Sequence, residues 1–203
     1  MDSTIIFQIA ILIISVMIHE ISHGYMALFW GDRTAQYEGR LTMNPIKHID
    51  IFGSIIVPAL MFLSGTGFIF GWAKPVPYNP YNLRRRNIAE PLVAFAGPFS
   101  NIIVAFILSI IFRVGLSFSL PVAMGTILVY AVLINISLAI FNLMPVPGFD
   151  GYKIYSTFLP ERVKLRLQSL EKYWIFFALA FVLIASPFFV SIVRWVFKIF
   201  IGA

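Results

Sequence analysis

Residues 5–30 read I-I-F-Q-I-A-I-L-I-I-S-V-M-I-H-E-I-S-H-G-Y-M-A-L-F-W. Ile5 to Ile18 is almost unbroken hydrocarbon, and Met26 to Trp30 continues it. The run predicts a membrane-spanning helix over residues 4–30, stopped by Gly31 and Asp32. Inside it lies the pattern H-E-x-x-H, made by His19, Glu20 and His23. On a helix, positions i and i+4 share one face, so His19 and His23 can offer two imidazole nitrogens to one zinc ion. Glu20 lies beside them, where a carboxylate can act as a base toward water. Two histidines and a carboxylate in hydrocarbon are expensive, so a cluster of this kind marks function. The competing explanation is a polar cluster that only stitches helices together, a role usually filled by Ser, Thr, Asn or Gln.

Composition agrees with a membrane protein. The chain is 60% hydrophobic and 12% charged over 203 residues, with mean hydropathy +0.89. A soluble domain of this size cannot hide that much apolar surface. There is no cysteine, which excludes disulfides and thiolate metal sites. The first apolar run lacks a basic leading segment and a small-residue cleavage site, so it is not expected to be a removable signal. The net charge of +6 does not point to nucleic acid, because the cations sit between apolar runs, where they report orientation.

Further apolar segments are expected at residues 51–70, 88–112, 120–143 and 173–201. The segment 34–43 (T-A-Q-Y-E-G-R-L-T-M) alternates around Gly39 and suggests strands or a hairpin. Residues 71–80 (G-W-A-K-P-V-P-Y-N-P) are too rich in proline for a helix or a central strand. Residues 160–172 are charged and suggest a surface helix. Residues 173–201 read either as one span kinked at Pro187 or as a span plus an interfacial helix.

Of the 15 Lys and Arg, 12 fall within 31–50, 71–90 and 151–172. The positive-inside rule puts all three stretches in the cytoplasm and the N-terminus outside. That requires residues 51–70 to enter the membrane and return on the same side. Their glycines and Pro58 suit a re-entrant segment, which is tolerated where protein or water covers the backbone. An ordinary span is the alternative.

A catalytic zinc takes three protein ligands, so a third is needed. The remaining histidine is His48. Among carboxylates Asp150 is the strongest candidate: it follows a span and lies in the irregular stretch N-L-M-P-V-P-G-F-D-G, residues 142–151. His19 is 11 residues from Trp30, or about 16 Å along a helix, so it lies in the inner half of its span. Asp150 can return to that depth if the proline-rich stretch dips in. The plain reading of Asp-Gly is a turn. Water must reach such a site, and Asn44, His48 and Asp50 could line its path or merely bond within a loop. Asn101 would sit in a span near the site, where Gly97 and Pro98 permit close helix approach.

H-E-I-S-H in a span, then A-G-P-F-S-N, then N-L-M-P-V-P-G-F-D-G resembles the site-2 protease family of intramembrane zinc metalloproteases. L-T-M-N-P-I-K-H-I-D and F-G-W-A-K-P-V-P-Y-N-P resemble its compact prokaryotic branch. The resemblance covers residues 19 to 151. It implies zinc held by His19, His23 and Asp150, with Glu20 as the catalytic base. It also implies that Asn142, eight residues before the aspartate, helps hold the substrate backbone. The pattern departs at Gly148–Phe149, where many relatives carry a bulkier pair. That leaves the ligands intact but bears on the rigidity of the loop. No stretch is long enough for the PDZ or CBS domains of other branches.

The fold expected is an all-α polytopic membrane protein, a helical bundle of about four to six membrane segments with a small cytoplasmic β-hairpin. One integral-membrane domain would cover residues 1–203, with its core at 4–151 and a C-terminal helical segment at 160–203. The function expected is intramembrane zinc endopeptidase, with one Zn2+ per chain. It would cut peptide bonds in or near transmembrane segments of single-span proteins in the cell membrane, as in regulated intramembrane proteolysis. Glu20 would act as base, His19, His23 and Asp150 as ligands, and Asn142, Asn101 and His48 would contact substrate or its oxyanion. Two other classes fit less well. A membrane metal carrier has no need of Glu20, and an inactive helix-binding relative has no need of the complete set.

Overall fold

The computed structural model describes residues 3–57, 59–60 and 72–202. Its helices are α1 (Ser3–Phe29), α2 (Thr34–Tyr37), α3 (Arg86–Ser117), α4 (Val122–Asn142), α5 (Asp150–Ser156), α6 (Glu161–Gln168) and α7 (Trp174–Ile201). Short 3-10 turns lie at Pro45–His48, Pro80–Asn82 and Glu171–Tyr173, and a π-helical turn lies at Ile51–Ile56. Among the described residues, three helices are long and apolar enough to cross a membrane: Ile5–Phe29, Arg86–Ser117 and Val122–Asn142, each with mean hydropathy 2.2. The expected count of four to six segments is therefore not supported among the described residues. α7 is one helix of 28 residues that runs through Pro187, so its sequence does not divide into two pieces. The re-entrant reading of 51–70 falls largely on residues 58 and 61–71, outside the described residues.

The outer faces of α1 and α3 carry exposed Ile6, Phe7, Ile9, Phe106, Ile107 and Ile111. A belt of that kind suits lipid and would be an aggregation liability in water. α3 is central and packs against α1, α4 and α5. Its buried face is small: Ala89, Ala94, Ala96, Gly97 and Ala105. Lipid tails are as apolar as leucine, so helices in a membrane associate through close packing, and small side chains permit it. Val132 and Ile136 of α4 and Val193 of α7 close on Ala105 in one cluster. Ala27, Leu83, Ala89 and Val93 form a second cluster beside the chemistry.

The β-hairpin expected at 34–43 is replaced by a helical turn, and no strand occurs among the described residues. The reason is local. Asp32 accepts hydrogen bonds from the Thr34 N–H at 3.1 Å and the Thr34 hydroxyl at 2.6 Å, which bends the chain into α2. Alternation over ten residues is weaker than that local hydrogen bonding.

Residues 72–79 form a strap without regular secondary structure beside the C-terminal half of α1 and the start of α3. Asp32 fastens one end of it, accepting from the Asn79 N–H at 2.7 Å and from Asn82 Nδ2 at 3.0 Å. Arg40 fastens the other, donating to the carbonyls of Lys74 at 2.8 Å and Pro75 at 3.0 Å. Burial opposes ionisation of Asp32, but the hydrogen bonds from Thr34, Asn82 and Asn79 outweigh it and hold its pKa below the ordinary value. Asp32→Ala should cost about 2 kcal/mol, seen as a lower melting temperature in detergent. A depressed folded pKa gives stability that is present above the unfolded value of about 3.9 and is lost as pH falls through the folded one. The gap between variant and wild type should therefore close in acid.

Candidate metal centre

His19 and His23 lie on one face of α1, as the i, i+4 spacing requires, and both are buried. Asp150 opens α5, where a carboxylate favours the positive end of the helix dipole. The three meet. His19 Nε2 is 3.1 Å and His23 Nε2 3.2 Å from Asp150 Oδ2, and the two Nε2 atoms are 3.0 Å apart.

The hydrogen bonds decide what this cluster can hold. Val93 O can only accept, so His23 Nδ1–H donates to it at 2.7 Å. Asn101 Nδ2 donates to Ser15 O at 3.2 Å and to Asn135 Oδ1 at 2.9 Å. Asn101 Oδ1 is thus an acceptor, and His19 Nδ1–H donates to it at 2.7 Å. Both Nε2 atoms are left with lone pairs turned toward a carboxylate oxygen. Three acceptors this close call for a cation between them. Tetrahedral zinc with bonds of about 2.0–2.1 Å has ligand–ligand edges of roughly 3.3 Å, close to the observed triangle. The donor set, two imidazoles and a carboxylate, is one that catalytic zinc takes.

Gly97 of α3 faces the same atoms. A Cβ there would clash with His23 Nε2 and lie about 2.6 Å from His19 Cε1 and Nε2. The glycine is thus a clearance for the ligands, beyond letting helices approach.

A cavity of about 150 Å³ opens beside the triad, lined by Glu20, Val76, Tyr78, Asn142 and Lys153 among others. Glu20 Oε2 accepts a hydrogen bond from the Val76 N–H of the strap at 2.8 Å. Asn142 reaches the cavity, but its Nδ2 donates to Leu138 O of its own helix at 2.9 Å. Asn101 is fully buried behind His19 and does not line the cavity. Its contact is with the ligand. His48 is not brought to the cavity either. Its Nε2–H donates to Thr42 O at 2.8 Å, and its carbonyl accepts from Lys74 N–H at 2.9 Å, so it braces the strap.

The departure at Gly148–Phe149 has a structural counterpart. Gly148 takes φ +96°, which favours glycine, and sits against Trp174, leaving no room for a Cβ. Phe149 is buried and packs on Phe141 as a tilted pair with centroids 4.5 Å apart, which anchors the loop that delivers Asp150.

Several residues escaped sequence reasoning. Ser15 and Asn135, joined by a 2.9 Å hydrogen bond, complete the network behind His19. An asparagine in the middle of a span was the available signal for Asn135. Val76 gave none, because its backbone and not its side chain makes the contact. Lys153 carries no signal in the sequence beyond that of a cation between apolar runs.

The family model for peptidase family M50 matches residues 117–185, which include Asp150. A Bacillus subtilis (strain 168) protein named as a zinc metalloprotease, YwhC, is 37% identical over 183 residues, spanning 87% of this chain and 80% of its own length. Rip2 of Mycolicibacterium smegmatis, likewise named, is 29% identical over 96% of this chain and 71% of its own. The similarly named MJ0611 of Methanocaldococcus jannaschii is 30% identical over 73% of this chain and 72% of its own. No solved structure matches the chain. With a zinc-compatible triad inside apolar helices and relatives of this identity and coverage, the chain belongs to peptidase family M50, the site-2 protease family of membrane zinc metalloproteases.

Proposed function

We propose that this protein is an intramembrane endopeptidase that hydrolyses peptide bonds in or near the transmembrane segments of single-span substrates. The observation that carries the reading is the position of the triad: two ligands lie within an apolar helix of spanning length, and the third comes from a loop that reaches them. His19, His23 and Asp150 hold the metal, and zinc when bound polarises the scissile carbonyl and makes water acidic.

The other roles belong to the chain. Glu20 takes the proton of the attacking water and returns it to the leaving amine. The Val76 N–H fixes the Glu20 carboxylate at the cavity wall. Asn101, braced by Asn135 and Ser15, keeps the His19 ring in one tautomer. A substrate helix must unwind, since each of its carbonyls is already hydrogen-bonded. With α2 in place of a hairpin, the strap is the element beside the cavity along which an unwound segment can lie.

The protein is a multi-pass component of the cell membrane, one domain over residues 1–203. Its N-terminus lies outside and its active site toward the cytoplasm, in contact with lipid and membrane substrates and with no nucleic acid. The basic residues around 33, 84–86 and 160–172 support that orientation.

Two measurements test the proposal. Purified protein in detergent should cleave a single-span substrate, and a chelator should stop it. Zinc transport into vesicles without any cleavage would favour a carrier instead. Because the chain has no cysteine, Arg85→Cys is a clean topology probe. It should label from the cytoplasmic side, and labelling only from outside would reverse the orientation.

A further inference from the structure

Lys153 is a charged cavity residue without a part in the reading above. It lies one turn beyond Asp150 on α5 and lines the same cavity as Glu20 and the three ligands. Among the described residues that line the cavity, no other is a lysine or an arginine. Its ammonium sits 5.4 Å from the centre of the Tyr78 ring, within the range of a cation–π contact. Among the described residues no carboxylate comes within ion-pair distance of Nζ, and no hydrogen bond engages it. Its N–H groups are therefore unspent.

Hydrolysis places new charge at one atom. A C–O bond forms between the water oxygen and the carbonyl carbon, and the π pair of the carbonyl moves onto its oxygen. The water proton goes to Glu20. When the C–N bond breaks, the pair returns to the carbonyl and the amine leaves with the Glu20 proton. Between these events the former carbonyl oxygen carries a negative charge, and fixed donors aimed at that place are usually the largest single contribution to catalysis. Asn142 has already given one of its two amide N–H groups to Leu138 O. Lys153 has given none.

We propose that Lys153, held on the face of Tyr78, is the oxyanion-stabilising residue of this site and binds the scissile carbonyl oxygen as its charge develops. The proposal rests on the endopeptidase reading. Tyr78 is then a positioning residue, a second tie between the strap and the chemistry beside the Val76–Glu20 bond.

The test uses the full chain in detergent, loaded with zinc, with Lys153→Met and Lys153→Arg. Lys153→Met should lower kcat by about 10²-fold with KM nearly unchanged and zinc content equal to wild type. Lys153→Arg should restore most of the loss. Binding gives a readout apart from turnover. A phosphonamidate peptide, which mimics the tetrahedral anion, should bind Lys153→Met more weakly by a similar factor, while the parent peptide binds both proteins alike. Should Lys153→Met not fold, Lys153→Gln carries the same comparison. Full kcat in the variant, lost zinc, or equal weakening of phosphonamidate and parent peptide would overturn the assignment. A wild type that cleaves nothing defeats the endopeptidase reading instead, and the two binding measurements then still decide the role of Lys153.

Discussion

Glu20→Gln should abolish cleavage while leaving the protein folded and loaded with zinc. General acid–base work contributes roughly 10²–10⁴-fold, and the amide cannot accept the water proton. The structure makes this substitution clean. Glu20 is not one of the three ligand residues, and its one hydrogen bond in the site is accepted from the Val76 N–H. A glutamine carbonyl oxygen still accepts that bond, more weakly than the carboxylate, and Asp32 and Arg40 hold the strap independently. Residual cleavage of a single-span substrate, followed over hours by gel shift, should be barely measurable. A rate near wild type would remove Glu20 from the mechanism and leave the metal ligands untouched.

Gly97→Ala should empty the metal site through one added methyl group. That methyl would overlap His23 Nε2 and crowd His19 Cε1 and Nε2 at 2.6 Å, the atoms that face the metal. Neither ring can move aside freely, because His19 is tied to Asn101 and His23 to Val93 O, each at 2.7 Å. Losing a mere outer partner of a ligand typically costs 10–100-fold in metal affinity, and displacing two ligands should cost more. Zinc per chain, measured after dialysis against a weak chelator, should fall well below one. Gly115→Ala is the control, since its Cβ meets only Leu120 at 3.1 Å, far from the metal. Full zinc in Gly97→Ala would mean that α3 can shift away from α1 at little cost.

What could be read in advance follows from range. His19 and His23 need only a helical period and four residues of spacing, both of which are local. Asp150 was legible because a proline- and glycine-rich stretch ending a span has few purposes there. The partners of His19 were not legible as partners. Asn101 and Asn135 stand in different spans, and no local pattern reports which amide meets which ring. The segment around Thr34 failed for the opposite reason: a short polar alternation was read as strand, whereas Asp32 had already committed the chain to a helical turn. From the sequence, His48 and Asn101 are expected to contact substrate or its oxyanion. The structure gives each a full set of tasks away from the cavity, bracing the strap and orienting a ligand.

The network around His19 has a consequence for assembly of the bundle. The ligands come from α1 and α5, and the groups that orient them come from α3 and α4. Three helices of spanning length and the short α5 thus converge on one point. Inside a bilayer the hydrophobic effect does not press helices together, so a shared point of attachment weighs more than in water. An ion that binds only the assembled bundle adds RT ln(1 + [L]/Kd) to its stability, about 2.7 kcal/mol at a hundredfold excess over Kd. By that linkage the metal acts as a rivet as well as a reagent: a chain that has not brought its helices together has no site to fill, and hydrolytic power arrives only with the finished fold.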